Sequence, residues 1–167
     1  MTSELVIRII ADAAVVPVVL LAAYALLFKV PKGARFQAYS RVLMAGLTAY
    51  LLAKFIGFVY QPTDMRPFEL LGVEPGASYL DNPGFPSDHV LFVTAITLAV
   101  WFETKQRIIT GILVVLSGCV ALGRILALVH SPLDVIGGVV IAAIGALWYI
   151  QVPVEKRGDR GKSRRRQ

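Results

Sequence analysis

Hydrophobic positions along this chain of 167 residues gather into five long runs, at about 5–28, 39–60, 88–102, 108–128 and 133–151. Within each run they are continuous rather than alternating. That pattern lacks the two-residue period of a barrel strand and predicts helices. A helix needs about 20 apolar residues to cross a bilayer. The third run is short and reaches across only with its capping residues. The expected fold is therefore all-α: a polytopic membrane helical bundle of about five transmembrane helices. It makes one domain over residues 1–152. The segment 61–87 interrupts the runs with frequent proline and glycine, and reads as an irregular outer loop with a short turn at Phe68–Leu71. No internal repeat or low-complexity stretch precedes the tail.

Composition agrees with a membrane protein, at 56% hydrophobic residues and a mean hydropathy of +0.67. Ala23-Tyr24-Ala25 has the look of a signal-peptide cleavage site, but basic residues follow the first run instead of preceding it. That run is expected to stay as a span. The single cysteine, Cys119, forms no intrachain disulfide and says nothing about redox compartment.

Charge adds an orientation. The net charge of +6 is concentrated at the end of the chain, where residues 155–167 carry seven basic and two acidic side chains. Nucleic-acid binding is one reading of such a tail. Attraction to anionic lipid headgroups on the cytoplasmic side is the favoured one, with residues 153–167 lacking a fold of their own. Lys29, Lys32, Arg35 and Arg41 follow the first run, and Lys105 and Arg107 follow the third. Residues 61–88 carry five acidic residues and one arginine. Positive residues stay inside, so the N-terminus is expected outside and the C-terminus in the cytoplasm.

Three polar clusters then fall on the outer face. They are Arg66-Pro67, Pro86-Ser87-Asp88-His89, and Arg124 with His130 and Asp134, and they hold both histidines of the protein. An ionisable side chain at the centre of a membrane helix costs roughly 2.5–3.5 kcal/mol, so such groups mark sites. Ser131-Pro132-Leu133-Asp134 has the pattern of a capping box with proline at the first helical position. Asp134 is also placed to accept from one ring nitrogen of His130, leaving the other as a nucleophile. Pro86-Ser87-Asp88-His89 opens a helix, where free N–H groups attract anions. Ser87 caps that helix or donates to a phosphate oxygen, and His89 is placed to give a proton to a leaving oxygen. Each cluster also has a plain reading: capped helices, a turn at Arg66-Pro67, and Arg124 snorkelling to headgroups. Lys54, about two turns below the outer end of the second run, needs a polar cavity or partner. Arg8 and Asp12 in the first run are spaced for an intrahelical ion pair; the alternative is that they line a cavity.

In order and spacing, these residues resemble the type 2 phosphatidic acid phosphatase superfamily of lipid phosphatases and related haloperoxidases. Its signature is K-x6-R-P, P-S-x-H and S-R-x5-H-x3-D. The corresponding residues are Lys54, Arg66-Pro67, Pro86-Ser87-Asp88-His89, and Gly123-Arg124 with His130 and Asp134, over roughly residues 40–150. The sequences around His89 and from His130 to Gly138 look most like bacterial undecaprenyl diphosphate phosphatases of the bacitracin-resistance type. The resemblance implies catalysis by His130, Asp134 and His89, phosphate binding by Lys54, Arg66, Ser87 and Arg124, and neither metal nor other cofactor. It implies a membrane lipid phosphate as substrate; the charge pattern adds the expectation of a site facing outside or the periplasm from the cell membrane and of no nucleic-acid partner. Three departures stand out. Lys54 and Arg66 are twelve apart, more than the pattern allows. Gly123 replaces the serine before the arginine. Family membrane members usually have six spans, so a helix is missing, and a partner chain or the first span fills the gap. A homo-oligomer is one such arrangement. The competing classes are a non-enzymatic lipid-binding subunit and a small transporter.

Overall fold

The computed structural model describes residues 2–62, 65–80 and 84–150, and side chains from residue 4 onwards. The basic tail lies outside the described residues. Helix α1 (Thr2–Arg8), a π-helical turn (Ile9–Ala13) and α2 (Val15–Lys29) form the first run. A 3-10 turn then leads into α3 (Arg35–Val59). The loop after α3 carries the short α4 (Pro67–Leu71), over the residues where the sequence predicts a turn. Helices α5 (Asp88–Thr104), α6 (Arg107–Leu126) and α7 (Pro132–Gly145) follow, and a last 3-10 turn extends α7 to Tyr149.

All five apolar runs are helical, and no strand occurs among the described residues. Four stretches are long and apolar enough to cross a membrane: Glu4–Lys29, Lys32–Val59, Arg107–Leu126 and Pro132–Tyr149. Helix α5 has 17 residues, a rise of about 26 Å, against a hydrocarbon core of about 30 Å. It packs against α2, α3, α6 and α7 at once and is the centre of the bundle. A short helix suits that place, because its neighbours shield its ends from lipid.

The packing is that of a membrane protein. Helix α3 turns Ala38, Ala45, Ala49 and Ala53 inward, while Phe36 and Phe58 are 86% and 89% exposed. Lipid solvates large apolar side chains as well as a protein core does, so association depends on close contact between small residues. Gly137 and Gly138 do the same for α7. A methyl group on Gly138 would stand 2.9 Å from the Ser87 carbonyl oxygen and 3.0 Å from the Leu91 nitrogen. One on Gly137 would meet the Phe85 ring at 2.4 Å. This contact brings the start of α7 onto the start of α5.

At the other end of the bundle, Arg41 Nε and Nη2 donate to the two carboxylate oxygens of Glu103, each at 2.7 Å. The bidentate pair, of the strong planar kind, fastens α3 to the last turn of α5. Replacing Gly138 by valine is expected to cost about 1–3 kcal/mol through overpacking. Thermal unfolding of the purified protein in detergent checks this: an unchanged midpoint would show that the α5–α7 contact is not tight.

Candidate active site

The site is assembled at one end of the bundle by three helix starts and ends. At the start of α7 the capping box is formed as the sequence predicts. The Ser131 hydroxyl accepts from the Asp134 amide at 3.2 Å, and Asp134 Oδ2 accepts from the Ser131 amide at 2.7 Å. The cap turns the Asp134 carboxylate back towards His130, whose Nδ1 lies 3.7 Å from Oδ2. That is an ion-pair distance, longer than a hydrogen bond. His130 Nδ1 is buried with no hydrogen-bond partner, so the tautomer-fixing bond expected from the sequence is not made in this state.

At the start of α5, Ser87 has the extended backbone of an N-cap but its side chain does not cap the helix. The hydroxyl is fully buried and has no hydrogen-bond partner. Of the two roles open to Ser87, capping is therefore not taken up. Its amide instead donates to the Asp134 main-chain oxygen at 3.0 Å, which joins the two helix starts.

Arg124, near the end of α6, is 1% exposed and is the largest fully buried side chain of the described residues. It is not snorkelling. Its Nη1 donates to Asp12 Oδ1 at 2.9 Å, while Nε is buried without a partner. The carboxylate of Asp12 thus goes to Arg124, and the pairing with Arg8 expected from their spacing is not the one formed. Arg66 is also buried rather than held in an exposed turn. Its guanidinium donates to the main-chain oxygens of Val129 at 2.7 Å and Leu80 at 3.0 Å, and lies over the Tyr79 ring. At least two of its five N–H donors are thus spent on tying the loop before α5 to the segment before His130.

Arg66, His89, Arg124 and His130 line one cavity, together with Leu80, Pro86 and Asp88. The cavity holds about 20 Å³, room for about one water. Lys54 stands apart from this cavity. Its Nζ donates to both carboxylate oxygens of Asp88 at 2.9 Å. The polar partner that its depth demanded is therefore Asp88, and the pair is half-exposed. Both residues line an apolar groove of about 390 Å³ between α3 and α5, together with Tyr50, Leu91 and Phe92 among others.

Two residues that matter here had weak signals in the sequence. Asp88 was the unspecified position between Ser87 and His89, and its sign opposite to Lys54 was the available clue. Asp12 was visible as an acid inside a span, which calls for a partner, but spacing favoured the wrong one.

Electrostatics favour the neutral form of His130. Burial is the largest influence and pushes its pKa below the ordinary value of about 6.5; Asp134 pulls it up, and Arg124 and Arg66 push it down. The unfolded chain therefore binds this proton more readily, and the contribution of His130 to stability is lost as pH falls below about 6.5. An NMR titration of the His130 ring in micelles, assigned with a His89→Gln variant, is expected to give a pKa under 6.5, lower still in Asp134→Asn. A rise in that variant would contradict the assigned contact.

The family model described as the PAP2 superfamily matches residues 18–157. Comparison with curated proteins and with solved structures finds no match. The family match covers most of the chain and all of the cavity-lining residues, and the fold around them is an apolar helical bundle. The chain accordingly belongs to the PAP2 superfamily, a membrane-bound member of a family of phosphatases acting on phosphate esters.

Proposed function

We propose that the protein is a lipid phosphatase that hydrolyses a lipid (di)phosphate through a phosphohistidine, without a metal. Undecaprenyl diphosphate is the first choice of substrate; phosphatidic acid and phosphatidylglycerol phosphate follow. The observation that carries this reading is the cavity itself: two histidines and two arginines from three separate stretches of chain meet in it.

In the proposed scheme His130 attacks phosphorus in line, oriented by Asp134. The P–O bond to the leaving group breaks as the N–P bond forms, and His89 protonates the departing oxygen. His89 then takes a proton from water, which attacks the phosphohistidine, releases phosphate and frees His130. The neutral state favoured for His130 suits a nucleophile. Arg66 and Arg124 hold the equatorial oxygens, with Ser87 and the N–H groups at the start of α5. Phosphoryl transfer depends mainly on positioning and charge stabilisation, which these cations supply. Lys54 joins them only by exchanging Asp88 for a phosphate oxygen.

The groove between α3 and α5 supports a lipid substrate. It is apolar, and it shares Leu80 and Asp88 with the small cavity. A headgroup beside Asp88 would leave its hydrocarbon chain along Leu91 and Phe92. The basic connections after α2 and α5 lie at the opposite end of the bundle, which favours a site facing outside or the periplasm from the cell membrane.

Phosphate release by detergent-purified protein in EDTA, with undecaprenyl diphosphate and phosphatidic acid side by side, tests the proposal. Release is expected in EDTA, with a loss on the order of 10³-fold or more in His130→Ala and about 10²-fold or more in His89→Ala. Wild-type-like release from His130→Ala would end the nucleophile assignment. Full loss in EDTA restored by magnesium would end the metal-free scheme. The preferred lipid decides between carrier recycling and phospholipid turnover.

A further inference from the structure

The guanidinium group of Arg124 has two edges, each able to grip an oxyanion with two parallel N–H donors. Asp12 holds Nη1, on one edge. On the other edge Nε is buried and has no partner. The same side chain lines the cavity beside both histidines. One edge is thus anchored by protein, and the other has a free donor.

The anchor arrives by an unusual route. Asp12 lies in the π-helical turn Ile9–Ala13, a feature found often at functional sites. That turn rests directly on α6 at Gly123, where a methyl group would meet the Ala11 nitrogen at 2.8 Å and its Cα at 2.9 Å. Any side chain at residue 123 would push the turn, and Asp12 with it, away from Arg124. The second carboxylate oxygen of Asp12 accepts from the Ser78 amide at 3.0 Å, which fixes the carboxylate and fastens the outer loop above it. Asp12 precedes the family match, which begins at residue 18.

We infer that Asp12 is a positioning residue of the phosphatase site, seated by the absence of a side chain at Gly123 and holding Arg124 so that its Nε edge meets the phosphate. The inference rests on the phosphatase reading. It assigns a role in the site to the first helical run. It also accounts for glycine at residue 123: the space there is taken by the backbone of Ala11. Asp12 acts through Arg124 and touches no substrate. Its loss misplaces a group that stabilises the transition state, so turnover should fall while substrate binding is nearly kept.

The test is steady-state phosphate release by the full-length protein in detergent, with wild type, Asp12→Asn, Gly123→Ala and the double variant, and His130→Ala as blank. Asn keeps the shape and an acceptor oxygen but removes the charge. Asp12→Asn is expected to lower kcat per folded molecule about 10- to 100-fold, the scale of a misplaced catalytic group, with KM within about threefold and a lowered melting midpoint, because Arg124 loses its counter-charge. Gly123→Ala should cost a similar factor, and the double variant no more than the worse single one, because both act on one contact. A kcat for Asp12→Asn within twofold of wild type overturns the inference, as do losses that multiply in the double variant. Loss of activity that only follows loss of the folded protein overturns it too. If Gly123→Ala does not fold, Asp12→Asn decides alone. Wild type that releases no phosphate overturns the phosphatase reading itself and this inference with it, a result distinct from an active wild type with an indifferent Asp12.

Discussion

Burying a guanidinium group inside an apolar bundle is the constraint on which this structure turns. An isolated charge moved from water into a low-dielectric interior is prohibitively costly, and it persists only when paired and hydrogen-bonded. Arg124, at 1% exposure, meets that requirement in a specific way. Its partner comes from the other end of the sequence, 112 residues away. To bring Asp12 there, the first helical run must lie against the end of α6, and residue 123 must have no side chain. The same carboxylate then takes the Ser78 amide from the loop between α3 and α5. One charge therefore organises three parts of the chain.

Arg66 solves a similar problem by different means. Main-chain oxygens of two segments accept from it, Leu80 in the loop between α3 and α5 and Val129 before His130. A guanidinium suits this, since its donors are fixed in a plane and spread over a wide arc. With the Ser87 amide bound to the Asp134 carbonyl oxygen, these contacts close the site into a cavity too small for its proposed ligand. The Lys54–Asp88 pair is of another kind. Both side chains are partly accessible, and the pair stands where the apolar groove meets the site, since Asp88 lines both.

Much of this was legible in the amino-acid sequence. Five apolar runs predicted five helices because a helix is the way for a single chain segment to satisfy its backbone inside lipid. Ser131, Pro132 and Asp134 announced the start of α7, and the capping box is there because capping is decided within one turn. The convergence of Arg66, His89, Arg124 and His130 followed from counting spans and placing lysines. Each of these inferences uses information local to a few residues, or a rule that acts on whole helices.

What the sequence left open was pairing between distant residues. Spacing suggested Arg8 for Asp12, since i,i+4 neighbours meet on any helix. The tertiary structure gave Asp12 to Arg124, whose burial makes an unpaired charge far more costly than one at the rim. Spacing likewise did not say that Lys54 would meet Asp88, or that Ser87 would turn its hydroxyl inward instead of capping. These outcomes depend on how closely two helices approach, which is set by glycines and alanines whose effect appears only when a partner backbone is present. The sequence by itself determined the helices, the cap of α7 and the end of the bundle where the polar groups gather. Only the packed structure decided which charge each buried charge would face, because the cost of a bare ion is fixed by its surroundings and not by its neighbours in the chain.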